Sequence, residues 1–150
     1  SRATLHPLED EFARLADYLA LMAMRMGPRL VYALDLPEPL RGLPVPPLLL
    51  QPLVENAIRH GLEPQVAGGR IDVQARLLQA PDQAARLRIE VRDTGGGPGG
   101  GEAGGTAFGL QQVRERLATL YGTAATLELI AISAGGTSAV VTFPLKPEQP

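Results

Sequence analysis

Apolar residues recur at helical spacing in three segments of the chain. In the first, the apolar positions alternate steps of four and three residues, a heptad-like seam formed by Leu8, Phe12, Leu15, Leu19, Met22 and Met26. The seam predicts a helix over residues 7–26, with Pro7 in its first turn and Gly27-Pro28 after its end. Two interpretations stay open: the helix packs on its own domain, or it continues from a coiled or bundled segment upstream.

The second helical segment, from about Val45 to Leu62, combines an apolar stripe with unusual polar residues. Its stripe is Leu50, Leu53, Val54, Ala57 and Ile58. Asn56, Arg59 and His60 fall outside this stripe, where a solvated helix face would more usually carry Glu, Lys and Gln. These three residues are therefore candidates for a binding site. A third helix begins near Phe108, and its apolar stripe is Leu110, Val113, Leu117, Leu120 and Tyr121.

Five strands are predicted around these helices. Residues 69–79 and 85–93 alternate apolar and polar positions and form one hairpin, and residues 126–133 and 137–145 form a second. A shorter strand is expected at residues 30–36. Because the strands come in hairpins and the helices must cover one face, the order predicts an α+β fold. It is a two-layer α/β sandwich with a mixed, mostly antiparallel sheet covered on one face by helices.

Composition excludes several classes of function. The 150 residues carry a formal net charge of −2, which gives no footprint for a polyanion, so nucleic acid is not expected as a partner. There is no cysteine, which excludes disulfides and Cys-ligated zinc. No apolar run approaches the ~20 residues that cross a bilayer. The chain starts at Ser1 rather than Met, and we expect it to be a piece of a longer parent protein.

A glycine-rich loop separates the first hairpin from the third helix. Eight of the eleven residues from Gly95 to Gly105 are glycine. A flexible surface linker would have this composition. Glycines next to a helix N-terminus also suit phosphate binding, because bare backbone amides can approach an anion there. The loop lacks the Gly-Lys-Ser/Thr of a Walker motif, and no parallel βαβ crossover surrounds it.

Four polar residues could serve a nucleotide. Asp93 ends an apolar strand beside glycines, where its carboxylate can accept a hydrogen bond from an amino group such as the adenine amine; the alternative is an ordinary turn-initiating Asp. Asn56 offers a neutral oxygen to Mg²⁺, and Arg59 offers charge to a phosphate, with His60 one turn away. Arg59 could instead form an i,i+4 ion pair with Glu55.

Four sequence stretches together resemble a known family. They are LLLQPLVENAIRHGLEP, which is similar to an N box, VRDTGGG, similar to a D-x-G-x-G box, GGTAFGLQQVRERLATLYG, similar to a second glycine box with its helix, and GGTSAVVTFPL, similar to a closing strand. In this order they resemble the ATP-binding domain of LytS/YehU-type sensor histidine kinases, within the GHKL group shared with gyrase, Hsp90 and MutL. The resemblance covers residues 5–145 and implies the Bergerat ATP-binding fold.

The resemblance implies ATP and Mg²⁺ as cofactors and gives the N box and the D-x-G-x-G box their roles. Asn56 would ligate the Mg²⁺ that bridges the ATP phosphates, Arg59 would meet a phosphate directly, and His60 would line the same side. Asp93 would bind the adenine amine. Thr137 of the closing strand would support Asp93 through water.

Glycines would shape the rest of the implied site. Gly95 and Gly97 would let the backbone pass close to the base. Gly105, Gly109 and the helix that follows from Leu110 would close over the phosphates. The residues from about 96 to 107 would form a mobile lid, which we expect to become ordered when nucleotide binds.

The sequence departs from the family pattern at three positions. Ala107 stands where the second glycine box commonly has Gly, and Thr94 replaces a frequent Asn. Pro52 occupies the position where gyrase-like ATPases place a water-activating Glu, which argues for phosphoryl transfer to a residue rather than hydrolysis. No acceptor-histidine motif is present, and His6 is read as a terminal loop residue.

The resemblance divides the chain and implies its function. Residues 1–28 would be a linker helix after a dimerisation and phosphoacceptor segment outside this chain, 29–145 the ATP-binding catalytic domain, and 146–150 a polar tail. The domain would transfer the ATP γ-phosphoryl group to a histidine on that separate segment, and no catalytic residue is assigned within the chain itself. A degenerate nucleotide-sensing module and an anti-sigma-type serine kinase are the alternatives. The parent would be a homodimeric inner-membrane protein with this domain in the cytoplasm and a response regulator downstream.

Overall fold

The computed structural model describes residues 4–96 and 103–146, and only the backbone for residues 103–109. Its helices are α1 (Leu8–Met26), α2 (Gln51–Asn56), which continues as a π-helix over Ala57–Leu62, and α3 (Ala103–Tyr121). Its strands are β1 (His6–Pro7), β2 (Leu30–Asp35), β3 (Pro44–Val45), β4 (Gly69–Leu78), β5 (Arg86–Asp93), β6 (Thr126–Ala131) and β7 (Thr137–Pro144). Single 3₁₀ turns lie at Gly27–Arg29, Glu38–Leu40 and Gly122–Ala124.

Five strands form one mixed sheet in the order β2-β4-β5-β7-β6. Strand β2 runs parallel to β4, while the β4–β5, β5–β7 and β6–β7 pairs are antiparallel. The predicted α+β class with a mixed, mostly antiparallel sheet is therefore confirmed. The register sets Asp93 opposite Ile71 on one side and Thr137 on the other. A separate two-stranded ladder between β1 and β3 has no counterpart in the hydrophobic pattern.

The core lies between the helices and one face of the sheet. All six residues of the predicted α1 seam are buried, together with Leu53, Val54 and Ile58 of the second helix and Leu110, Val113, Leu117 and Tyr121 of α3. They join the alternating inward residues of the strands in a single cluster, to which Ile71, Val73, Ile89, Val91, Val141 and Phe143 belong. Helix α1 therefore packs on this domain, as one of its two interpretations expects. The division of the chain at residue 28 stays a prediction.

Two helix boundaries differ from the hydrophobic pattern. Helix α2 begins at Gln51 rather than near Val45, because Pro44, Pro46 and Pro47 interrupt helical bonding and Leu48 has a left-handed φ of 58°. Helix α3 begins at Ala103, upstream of Phe108. The extra turn consists largely of small residues, which carry no apolar stripe and therefore no periodic signal. Within the ranges that the structure describes, no helix combines the length and the apolarity needed to cross a membrane.

Candidate functional site

The π-helix that follows α2 meets the end of β5 at Gly61. A Cβ atom added to Gly61 would lie 2.8 Å from Oδ1 and 3.2 Å from Cγ of Asp93. A Cβ on Gly95 would collide with the carbonyl group and Cα of Gly61, and one on Gly136 would collide with the backbone oxygen of Asp93. Two segments distant in sequence, around Gly61 and Gly136, thus meet the end of β5 at Asp93 and Gly95, and glycine at these positions is what permits the close packing.

The carboxylate of Asp93 is buried at this convergence. The residue is 4% exposed, and its Oδ1 accepts a hydrogen bond of 2.8 Å from the backbone N–H of Gly95. Burial raises the pKa of Asp93, and the backbone N–H groups of Gly95 and Thr137, which favour the charged carboxylate, only partly offset the rise. Since a carboxylate offers about four acceptor positions, it retains capacity for a further donor such as an amino group.

Thr94 fixes the backbone that leaves this strand. Its Oγ1 accepts a hydrogen bond of 2.9 Å from the backbone N–H of Arg70, and its own N–H donates to the Arg70 carbonyl at 3.1 Å. The side chain sits so close to Gly69 that a Cβ there would collide with it. Thr94, which replaces the Asn that is frequent in the family, therefore connects the D-x-G-x-G box to the start of β4.

The polar residues of the second helix face two directions. Asn56 and His60 are half-buried, while Arg59 is exposed. The pKa of Tyr18 in α1 is raised, first by burial and then by the negative charges of Glu55 and Glu63. The positive charge of Arg59 acts in the opposite direction and lowers that pKa. The alternative ion pair with Glu55 is not formed in the part of the chain that the structure describes; Glu55 accepts instead from Gln51 Nε2 at 2.9 Å.

The other predicted positions lie on or near the glycine loop. Gly97 and residues 98–102 of the predicted lid, about 96–107, lie outside the described residues, and the backbone of residues 103–107 belongs to α3. Gly105 and Gly109 belong to the backbone of α3. Leu110 is 2% exposed and packs in the core, so its side chain supports the helix from beneath.

Two glycines of the site were not singled out from the sequence. Gly61 directly follows His60, and Gly136 directly precedes Thr137. Their proximity to predicted site residues was the one available signal, because a residue without a side chain contributes nothing to hydrophobic periodicity. Their importance became visible only through the atoms that surround them.

The residues present fit an adenine nucleotide. The buried carboxylate of Asp93 is an acceptor of the kind an exocyclic amine requires, and the glycines around it let the backbone pack closely against that residue. Among the described residues, no group of three His, Asp or Glu could hold a metal ion. An Mg²⁺ ion beside the single amide oxygen of Asn56 would therefore depend on phosphate and water for its other ligands, as is usual for Mg²⁺ with nucleotides.

Sequence comparison finds relatives along most of the chain. The family described as histidine kinase-, DNA gyrase B-, and HSP90-like ATPase matches residues 47–147. The chain is 31% identical over 144 residues to sensor histidine kinase YesM of Bacillus subtilis, with 94% of this chain and 24% of the relative covered. It is 34% identical to sensor histidine kinase YpdA of Escherichia coli, covering 77% of this chain and 21% of the relative. It thus spans only 21% to 24% of the length of these relatives.

Solved structures share the fold at low sequence identity. The catalytic domain of histidine kinase ThkA aligns with a TM-score of 0.70 at 14% identity, over 99% of this chain and 100% of that domain. The histidine kinase domain of the blue-light activated kinase EL346 from Erythrobacter litoralis aligns with a TM-score of 0.65 at 19% identity, over 97% of this chain and 66% of that one. The chain belongs to the family of histidine kinase-, DNA gyrase B- and HSP90-like ATPases, as the ATP-binding catalytic domain of a sensor histidine kinase.

Proposed function

We propose that ATP binds beside the junction of Asp93, Gly61 and Gly95, and that its γ-phosphoryl group passes to a histidine on a separate segment of the parent kinase. The observation that carries the proposal is the buried carboxylate of Asp93, against which the backbone of the second helix packs closely at Gly61. A charged group costs free energy when it is buried, so a buried carboxylate beside bare backbone is typical of a binding position.

Each polar residue has a role toward the nucleotide. Asp93 accepts a hydrogen bond from the adenine amine, and Thr137 orients that carboxylate through its backbone N–H. Asn56 supplies its amide oxygen to Mg²⁺, which when bound neutralises phosphate charge during transfer. His60, one helical turn from Asn56, faces the same region. Arg59, whose side chain is exposed, offers its guanidinium to a phosphate.

Pro52 supports transfer to a residue over hydrolysis. It lies in the first turn of α2, one turn before Asn56. A proline has no group that could take a proton from water, so this position supplies no general base to an attacking water molecule. Glu55 is adjacent to Asn56 but engaged with Gln51.

The metal role of Asn56 can be tested by removing its side chain. We expect Asn56→Ala to abolish the Mg²⁺-dependent gain in ADP affinity, because the amide oxygen is the protein ligand, while most of the affinity measured in EDTA remains. Calorimetric titrations with and without Mg²⁺ measure both. Gln51→Ala, at the start of the same helix, is the matched control. A variant at Asn56 that kept its full Mg²⁺ dependence would locate the metal ligand elsewhere.

The separate acceptor can be tested with labelled ATP. We expect this chain alone to bind Mg-ATP and to acquire no stable phosphoryl label, since transfer requires an acceptor held in line with the γ-phosphate. The parent protein, which would supply the acceptor segment, should acquire acid-labile label. Label on the isolated chain that disappears in His60→Gln would instead make His60 the acceptor. Binding without transfer by the parent would favour a nucleotide-sensing module.

The parent is proposed to work as this class of kinase does. The relatives are named as sensor kinases. We place a response regulator downstream, a homodimer formed through the segment upstream of α1, and this domain on the cytoplasmic side of an inner-membrane protein.

A further inference from the structure

The turn that leads into α2 is bound by a buried side chain from another helix. Glu11 of α1 is 2% exposed and accepts hydrogen bonds from three consecutive backbone amides. Its Oε2 accepts from Leu48 at 2.9 Å, and its Oε1 accepts from Leu49 and Leu50 at 2.9 and 3.0 Å. These amides precede Gln51, the first residue of the helix, and the N-cap residue Leu50 supplies no side-chain cap. Glu11 therefore holds the turn that leads into α2.

The same turn is held from a third helix. Arg116 of α3 donates to the carbonyl oxygens of Leu48 at 3.0 Å and Pro47 at 2.5 Å. Leu48 keeps the left-handed φ of 58° that a leucine rarely adopts. Donors and acceptors of residues 47–50 are thus both bound by side chains from α1 and α3. The position of this turn is decided by those helices rather than by its own sequence.

His6 completes the environment of the carboxylate. Its Nε2 lies 2.7 Å from Oε2 of Glu11, and it belongs to β1, which pairs with β3 just before the turn. The expectation that His6 is a terminal loop residue is therefore wrong. Its strand pairs with the segment that precedes the second helix, so the ring is held against Glu11 by the same small ladder.

We propose that Glu11 is a positioning residue for the nucleotide site: by fixing the start of α2 against α1, it sets the place of Asn56. Asn56 follows Leu50 by six residues, about 9 Å along a helix, and a packed helix transmits a displacement at its first turn to that distance. The inference rests on the proposed function, in which Asn56 binds Mg²⁺. It also makes α1 a route by which a movement upstream would alter nucleotide binding.

The test compares Glu11→Gln with Glu9→Gln, a loss of the same charge at an exposed position of the same turn. Gln retains one acceptor oxygen and points an NH₂ group at one of the donors, so the hold on the turn is impaired without leaving a cavity. ADP affinity is measured by calorimetry in Mg²⁺ and in EDTA. Hydrogen exchange of the α2 amides is measured in the protein without nucleotide.

For Glu11→Gln we expect the ratio of the two affinities to fall about tenfold, the scale seen when an outer partner of a metal ligand is removed. The affinity in EDTA should stay unchanged, because Asp93 is not touched. Amide exchange should accelerate at the start of α2, and Glu9→Gln should match the wild type in all three measurements. Glu11→Asp, which keeps the charge on a shorter side chain, should be intermediate. If Glu11→Gln does not fold, the same three measurements on Glu11→Asp test the proposal.

Two outcomes would overturn the role of Glu11. One is an unchanged affinity ratio in both Glu11 variants. The other is an equal loss of affinity in Mg²⁺ and in EDTA, which would make Glu11 a residue of general stability. A wild-type chain without any Mg²⁺-dependent gain would refute the proposed function first. A wild-type gain that Glu11→Gln retains would refute this inference alone.

Discussion

Replacing Asp93 with Asn is expected to weaken ADP binding by about 1–3 kcal/mol, the scale of a charge-assisted hydrogen bond removed from a buried site. The variant keeps the shape of the side chain. It exchanges an acceptor for an NH₂ donor, which cannot pair with the adenine amine. Calorimetry of both proteins with ADP measures the difference. Equal affinities would remove Asp93 from the site.

A pH series separates this binding role from a structural one. Burial raises the pKa of Asp93 in the folded state above its value in the unfolded chain. The protonated carboxyl group therefore adds to the free energy of unfolding at a pH below the unfolded pKa, and this contribution is lost as the pH rises through the folded pKa. The free energy of unfolding of the wild type should therefore improve relative to Asp93→Asn when pH falls from about 7 to about 4. Urea unfolding of both proteins at the two pH values measures it. An opposite trend would mean that hydrogen bonds stabilise the charged carboxylate by more free energy than its burial costs, so that the pKa of Asp93 is lowered by folding.

Replacing Gly95 with Ala is expected to reduce the free energy of unfolding by about 2–4 kcal/mol and to remove measurable ADP binding. The added Cβ would collide with backbone atoms of Gly61, which cannot rotate away as a side chain can. The second helix and the D-x-G-x-G box would have to separate. Gly95 has no left-handed φ, so the loss would come from this contact and not from backbone strain. Urea unfolding and calorimetry report the two effects.

The neighbouring glycine supplies the matched control. Among the residues that the structure describes, a Cβ on Gly96 would meet only Nε2 of Gln65, at 3.4 Å, the end of a flexible side chain. Gly96→Ala should therefore change stability by no more than about 0.5 kcal/mol. If the two alanine variants behaved alike, the contact between Gly95 and Gly61 would not hold the site together.

The sequence by itself was sufficient for the fold class, the helices, the hairpins and the family. Each of these features is encoded by residues that are neighbours in the sequence. Hydrophobic periodicity indicates which face of a segment is buried, and each family motif is a contiguous stretch of residues. The seam of α1 shows how far this extends, since all six of its predicted residues are buried. The same reasoning identified Asp93 as a carboxylate at a strand end beside glycines.

Only the tertiary structure decided how these segments meet. Gly61 and Gly136 are site residues because of the atoms opposite them, and a glycine leaves no trace in a hydrophobic pattern. The turn that leads into α2 is held by Glu11, 37 to 39 residues away in sequence, a contact that the local pattern does not record. A segment's own residues determine which face it buries, but the partner on that face is set by the packing of the whole chain, which local patterns do not encode.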